Sequence, residues 1–274
     1  GHHAGWPPWA LGCVATSALL MAAFWTLQRH KAATGKSPLI HPEMFLDRAF
    51  VVGILIAFIF YMGTPSFFMV FTYYLQQGLE LDALTTGTAF VPCSLGVALA
   101  AFLSPLLVAR IGRFALAIGA ALQVAGILAM IAPVVGKAPL FPSSLWLAML
   151  VLGLGQGLTL SPLANAVLAS SRSAHAGAAA GVLASFQQLG GAVGVAIVGA
   201  ALASFLGAHQ TWGEALGHAL VFHLICFGGI FALTFCLPKP TLASIGKGVS
   251  VGQGVSGAAA ISPSRLLRGC EVQD

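Results

Sequence analysis

Apolar and polar positions along this chain do not alternate as they do in a water-soluble domain; they separate into seven long apolar stretches joined by short polar connections. The stretches run roughly from Trp9 to Leu27, Phe50 to Leu75, Thr85 to Val108, Phe114 to Pro133, Leu145 to Ala169, Ala178 to Leu206, and Leu216 to Leu237. A hydrocarbon span needs about 20 mostly apolar residues, so the pattern predicts an all-α membrane protein of seven transmembrane helices. Between them lie a charged connector from Arg29 to Arg48, a polar turn at Glu80 and Asp82, and an Arg110 to Arg113 link. A loop at Lys137, a link from Ser170 to Gly177 and a segment from His209 to Glu214 complete the connections.

Composition agrees with the pattern. Hydrophobic residues make up 58% of the 274 and charged residues 7%, where a soluble domain carries about a quarter charged residues. The formal charge of +5 does not point to nucleic acid, because the basic residues sit between spans rather than among exposed aromatics. The five cysteines are scattered, four of them in apolar stretches and none in a metal-ligand spacing. No metal or other cofactor is expected. With Gly1 in first place and no basic region before an apolar core, no signal peptide is read, and the chain is expected to begin inside a longer protein.

Counting cations by side predicts the orientation, since short cytoplasmic loops hold the excess of lysine and arginine. Arg29, Lys31, Lys36, Arg48, Arg110, Arg113, Arg172, Lys239, Lys247, Arg265 and Arg268 fall on one side and Lys137 on the other. The expected arrangement is a multi-pass protein of the inner cell membrane, amino terminus outside and carboxy terminus in the cytoplasm. Residues 238–274 read as a disordered cytoplasmic tail, poor in large apolar side chains. Its GVSVG, Gly248 to Gly252, matches a nucleophile elbow in letters but lacks the strand, turn and helix that motif needs.

No Asp, Glu, Lys or Arg lies inside a span. Any proton-carrying acid must therefore come from residues outside this chain. What remains is neutral: Tyr61, Tyr73, Tyr74, Gln76 and Gln77 in and at the end of the second span, Gln123 in the fourth, Gln156 and Asn165 in the fifth, Gln187 and Gln188 in the sixth, His218 and His223 in the seventh. Each could be an ordinary helix-to-helix hydrogen bond. At about 100° per residue, however, Tyr61, Pro65, Phe68, Thr72 and Gln76 fall within one stripe, which suits the wall of a cavity for weakly polar substrates. Only one of Gln156 and Asn165 can face such a cavity; Gln156 is the better placed, Asn165 being close to the cytoplasmic end. Gln187 and Gln188 complete the candidate cavity. The small-xxx-small pairs Gly153/Gly157, Gly177/Gly181 and Gly190/Gly194 mark expected close helix approaches.

Five segments in order carry a resemblance: PLIHPEMFLDRAFVVG (38–53), FTYYLQQGLELDALTTG (71–87), SPLLVARIGR (104–113), GLGQGLTLSPL (153–163) and AGAAAGVLASFQQLGGAVGVAIVG (176–199). The chain resembles the last seven spans of the fourteen-spanner drug:proton antiporters of the major facilitator superfamily. The resemblance implies an extra central helix with its connector in residues 1–48 and the carboxy-terminal six-helix bundle in residues 49–237. It implies a partner bundle in a missing amino-terminal half, a small-molecule substrate, protons as the coupled ion, alternating access, and three-plus-three helix repeats. It also implies that the fourth and seventh spans face lipid. Arg110, Gly112 and Arg113 match a cytoplasmic-gate motif of that superfamily, although Ser104 stands for its usual glycine and Ala109 for its aspartate. Gln187 stands where the family often has arginine.

Three other readings compete. One is an orphan half-transporter without activity of its own. Another is a seven-helix receptor or retinal protein, against which every lysine lies outside the spans. An intramembrane enzyme would have to use Ser161, His218 or His223, and no intramembrane acid pairs with either histidine.

Overall fold

The computed structural model describes residues 8–34, 42–112, 114–135, 142–169, 176–208 and 211–236. Every regular element among them is helical. After α1 (Pro8–Ala33) and a 3₁₀ turn (Pro42–Leu46), α2 (Arg48–Tyr73) runs on as a π-helical turn (Tyr74–Gly78). Short α3 (Ala83–Ala89) leads into α4 (Val91–Ile111), followed by α5 (Phe114–Val135), α6 (Pro142–Ala169), α7 (Ala176–Gly207) and α8 (Trp212–Thr234). Together α3 and α4 make the third apolar stretch. The helix breaks at Phe90 because Pro92 in the first turn of α4 has no amide proton to continue the ladder. Six helices in the described residues are long and apolar enough to cross a membrane, and α1 makes seven long helices. The protein is an all-α, multi-pass membrane protein. The predicted tail, with GVSVG, lies outside the described residues.

Among apolar helices in lipid no hydrophobic force favours one neighbour over another, so close backbone approach decides the packing. The principal contacts join α2 with α7 and α6 with α4, then α5 with α6, α8 with α2, and α5 with α8. Exchanging α2 with α6, α4 with α7 and α5 with α8 maps this set onto itself. The two triplets α2-α4-α5 and α6-α7-α8 are therefore equivalent halves of one bundle, the three-plus-three arrangement that sequence inspection alone does not reveal.

Glycines make two of the three most extensive seams possible. A Cβ on Gly190 would strike the Phe58 carbonyl oxygen and one on Gly194 the Met62 carbonyl oxygen, both on α2. Across the other seam, a Cβ on Gly153 would strike the Cys93 carbonyl and one on Gly157 would lie 2.6 Å from the Val97 carbonyl oxygen. Gly177 and Gly181 behave differently: nothing lies within 4 Å of a Cβ at either. The spacing that suggests packing there is a correct pattern on a face with no described neighbour.

These contacts also sort the charges. Gly53 near the start of α2 meets Val167 near the end of α6, and Gly78 beyond α2 meets Trp212 at the start of α8. Arg48 and Arg110 thus lie at one end of the bundle, and Glu80, Asp82 and Glu214 at the other. Several of the acids cap helices. Asp47 accepts from the Ala49 amide at 2.7 Å, Asp82 from those of Leu84 and Thr85 at 3.2 and 3.4 Å, and Thr211 with Glu214 closes a capping box on α8.

Hydrogen bonds from Thr85, side chain first and then backbone, hold the Asp82 carboxyl below the usual aspartate range. A depressed carboxyl stabilises the fold above its unfolded pKa, about 3.9, and loses that contribution as pH falls through the folded value. Amide exchange at Leu84 and Thr85 is expected to accelerate below about pH 4 beyond its intrinsic trend, and Asp82→Asn should abolish that dependence. A pH profile shared by the wild type and the variant would rule out the cap as its source.

Candidate functional site

Three faces of α2 are taken by neighbours. Phe58 and Met62 meet α7, Gly63 and Ser66 meet α8, and Gly53 meets α6. At about 100° per residue, Tyr61, Phe68 and Thr72 fall between the α6-facing and α7-facing stripes, and each is half-buried. Pro65 joins them, 3.6 Å from where a Cβ on Gly191 would lie. Phe68 tilts over Phe90 at 5.3 Å, and the Thr72 hydroxyl donates to the Phe68 carbonyl at 2.7 Å. Gln76 leaves this stripe. It lies in the π-helical turn, whose extra residue per turn rotates later side chains backward, and it is exposed.

On α6, Met149, Gln156, Leu163 and Val167 form one stripe, and Val167 touches Gly53 of α2. The α2 stripe opposite is Gly53, Ala57, Phe60 and Thr64. Gln156 is 6% exposed and its amide nitrogen has no hydrogen-bond partner; the Thr64 hydroxyl, also buried, has none either. Two unsatisfied polar groups thus lie on facing stripes of the central α2–α6 contact. Asn165 is exposed, so the structure separates the two α6 amides as helical spacing predicts. On α7, Gln187 is half-buried at the edge of the α2 seam, whereas Gln188, one residue on, is exposed.

Gln123 departs from expectation. If the fourth span faced lipid, its amide would have no protein partner, yet Gln123 is 0% exposed and donates to Thr159 Oγ1 at 2.8 Å. Gly119 and Gly155 bring α5 and α6 together there, leaving the amide no route to lipid.

Sequence reading named His223 as a candidate helix-to-helix hydrogen bond but not its partner, Ser66. His223 Nε2 lies 3.1 Å from Ser66 Oγ, and Nδ1 lies 2.6 Å from the Ala219 carbonyl oxygen. Carbonyls only accept, so Nδ1 carries the proton, and the single Ser66 hydroxyl proton is shared between Nε2 and the Met62 carbonyl oxygen, which lies 2.7 Å from Oγ. No sequence signal links residues 157 positions apart. The pair resembles a serine nucleophile and its base only in distance. Both residues are fully buried, Phe67 and Phe222 box in the imidazole, and a carbonyl replaces an orienting acid. It is a clamp between α2 and α8. His218 stacks on Phe205 at 4.5 Å and 20°; neither histidine meets Ser161.

At the opposite end, Gly112 terminates α4 with φ 56° and ψ −127°, a region only glycine enters freely. Its amide donates to the Val108 carbonyl at 2.9 Å, and its own carbonyl accepts from Ala115 of α5 at 3.1 Å. Arg110 is exposed beside this turn. Arg113 lies outside the described residues.

A bundle of membrane-length helices in two triplets, with neutral polar groups buried along the seam between them, is the architecture of a multispanning membrane protein. Residues 1–195 match the profile of the Major Facilitator Superfamily, and the chain belongs to that superfamily of membrane transporters. It is 29% identical over 213 residues to a probable actinorhodin transporter of Streptomyces coelicolor, covering 77% of this chain and 37% of that protein. It is 30% identical over 214 residues to the puromycin resistance protein pur8 of Streptomyces alboniger (76% and 42%). A multidrug resistance protein, Stp, of Mycobacterium tuberculosis is 26% identical over 194 residues (70% and 35%). The chain spans about two fifths of the length of the first two relatives.

Proposed function

We propose that this chain supplies the carboxy-terminal bundle of an alternating-access efflux transporter for amphipathic, largely aromatic compounds. In this reading residues 1–48 are an additional central helix and connector, residues 49–237 the moving bundle, and residues 238–274 a cytoplasmic tail. An amino-terminal half closes the cavity from the other side, in the inner membrane, with the amino terminus of this chain outside. Coupling acids would belong to that half, because the spans read here contain none. Two equivalent triplets suit rocking about a central site, and the relatives are named for antibiotics and drugs.

The observation that carries the reading is the unpartnered Gln156 amide. A buried amide without a partner costs about 1–3 kcal/mol, a cost repaid when a ligand supplies the acceptor. Tyr61 and Phe68 provide aromatic contact on the neighbouring stripe, Thr72 a hydroxyl oxygen, Gln187 a further polar group, and Gln188 and Gln76 stand at the margins toward the amino-terminal half. Arg110, Gly112 and Arg113 form the cytoplasmic gate.

The test is efflux of a panel of dyes by the complete transporter at matched expression. Losing one aromatic contact is worth about 0.5–1.5 kcal/mol, so Phe68→Ala should weaken apparent affinity for planar dyes up to about tenfold. Gln156→Ala should act selectively on dyes that carry a hydrogen-bond acceptor. A uniform loss across the panel from both variants would defeat the cavity assignment.

A further inference from the structure

We propose that Ser66 and His223 form a two-position latch inside the bundle. With α8 closed on α2 the Ser66 hydroxyl bridges to Nε2 of His223, and when α8 parts from α2 it swings wholly onto the Met62 carbonyl. The latch concerns motion within this chain and does not depend on what is carried.

The α2–α8 seam differs in kind from the α2–α7 and α4–α6 seams. There, glycines press on backbone carbonyls, which cannot yield. Here the α2 glycine in contact, Gly63, faces side chains: a Cβ on it would lie 2.9 Å from a ring carbon of Phe227 and 3.5 Å from the Cβ of Cys226. A Cβ on Gly228 or Gly229 of α8 would meet nothing within 4 Å. Rings can turn, so α8 is held at this level by side chains rather than by backbone contact. Phe67 and Phe227 flank the imidazole, and the 3.1 Å approach of Nε2 to Ser66 Oγ is the polar link among them.

Breaking a buried hydrogen bond ordinarily strands both partners. This one strands only one of them. Ser66 Oγ lies 2.7 Å from the Met62 carbonyl oxygen and 3.0 Å from that of Gly63, so its proton keeps an acceptor when Nε2 leaves. On α8, Nδ1 keeps the Ala219 carbonyl at 2.6 Å, and the Nε2 lone pair alone goes unmet. The link is therefore cheaper to open than an ordinary buried bond, and it has two discrete settings. Its place gives the settings a consequence. Pro65 has no amide proton for the Tyr61 carbonyl, so α2 is least rigid beside Ser66. The Met62 carbonyl that receives the freed hydroxyl is also the one against which Gly194 of α7 packs. One carbonyl thus joins the α8 seam to the α7 seam.

Cys226 reports the setting. It is 4% exposed, one turn beyond His223 and against Gly63, so a maleimide reaches it when α8 parts from α2. Cys93, 1% exposed in the α4–α6 seam, is the control. The experiment labels the whole chain in detergent with N-ethylmaleimide and resolves each cysteine by peptide mass; the rate follows the open fraction when closing outpaces labelling. Ser66→Ala should speed Cys226 about threefold and leave Cys93 unchanged, the equivalent of about 0.6 kcal/mol for an average interhelical hydrogen bond in a membrane. His223→Phe, which keeps a ring among the aromatics, should do the same, and the double variant should label no faster than either single one. Ser66→Thr, which keeps the hydroxyl, should label more slowly than Ser66→Ala. In protein carrying carbonyl-13C methionine, His223→Phe should move one amide I band to lower frequency, and Met62→Leu should remove that band. An unchanged Cys226 rate in Ser66→Ala overturns the proposal. So does equal acceleration at Cys93, which is general loosening, or additive rates in the double variant. An unmoved Met62 band makes the pair a fixed clamp and overturns the latch as well.

Discussion

Gly194→Ala is expected to disrupt the α2–α7 seam and Gly153→Ala the α4–α6 seam, each leaving much less folded protein in the membrane. The added methyl meets a backbone carbonyl in both cases, that of Met62 and that of Cys93. A side chain could rotate out of the way; a carbonyl in a helix cannot without breaking its own hydrogen bond. Overpacking of a close contact costs about 1–3 kcal/mol, and these backbone collisions belong at the upper end. Gly177→Ala and Gly181→Ala provide the contrast, since open space surrounds both positions. Replacing glycine by alanine in a helix favours the helix by about 1 kcal/mol, so these variants should melt at or above the wild-type temperature in detergent. If Gly194→Ala melts with them, helix approach does not depend on these glycines.

The second large effect is a pair of opposite signs. Gln156→Leu is expected to stabilise the bundle and to impair transport, because leucine fills the space without leaving an amide unsatisfied, a gain of about 1–3 kcal/mol. Gln123→Ala is expected to destabilise it. That amide bridges α5 to Thr159 of α6, and interhelical hydrogen bonds in membranes average about 0.6 kcal/mol with a maximum near 1.7, to which the lost packing adds. Thermal unfolding in detergent and dye efflux at matched expression give two readouts for each variant. Stabilisation with loss of export marks a group kept for a ligand. If Gln156→Leu destabilises as Gln123→Ala does, both amides are simply structural.

A clamp between His223 and Ser66 makes the rest of this division legible. Ser66 lies one residue beyond Pro65, so the bond ties α8 to the part of α2 where the helical ladder is broken and holds the half-buried stripe of Tyr61, Phe68 and Thr72 at a fixed rotation. The stripe itself is readable from spacing. Its termination at the π-helical turn is not, because no residue from Tyr74 to Gln77 marks a wider turn in the sequence; in the structure Gly78 at the end of that turn lies against Trp212.

Several features belong to the sequence by itself. The apolar stretches are long enough to demand lipid, the cations gather in one set of connections, and glycines recur at helix-contact spacing. Each follows from the cost of placing charge or side-chain volume where it does not fit, and such costs are local. Tertiary structure decided which glycines meet a backbone, that the Gln123 nitrogen is tied to Thr159 while the Gln156 nitrogen has no partner, and that the two triplets pack alike. The physical reason is that a helix apolar on every side carries no periodic mark of which face meets protein and which meets lipid. Hydrocarbon is as apolar as leucine, so only the approach of one backbone to another distinguishes them.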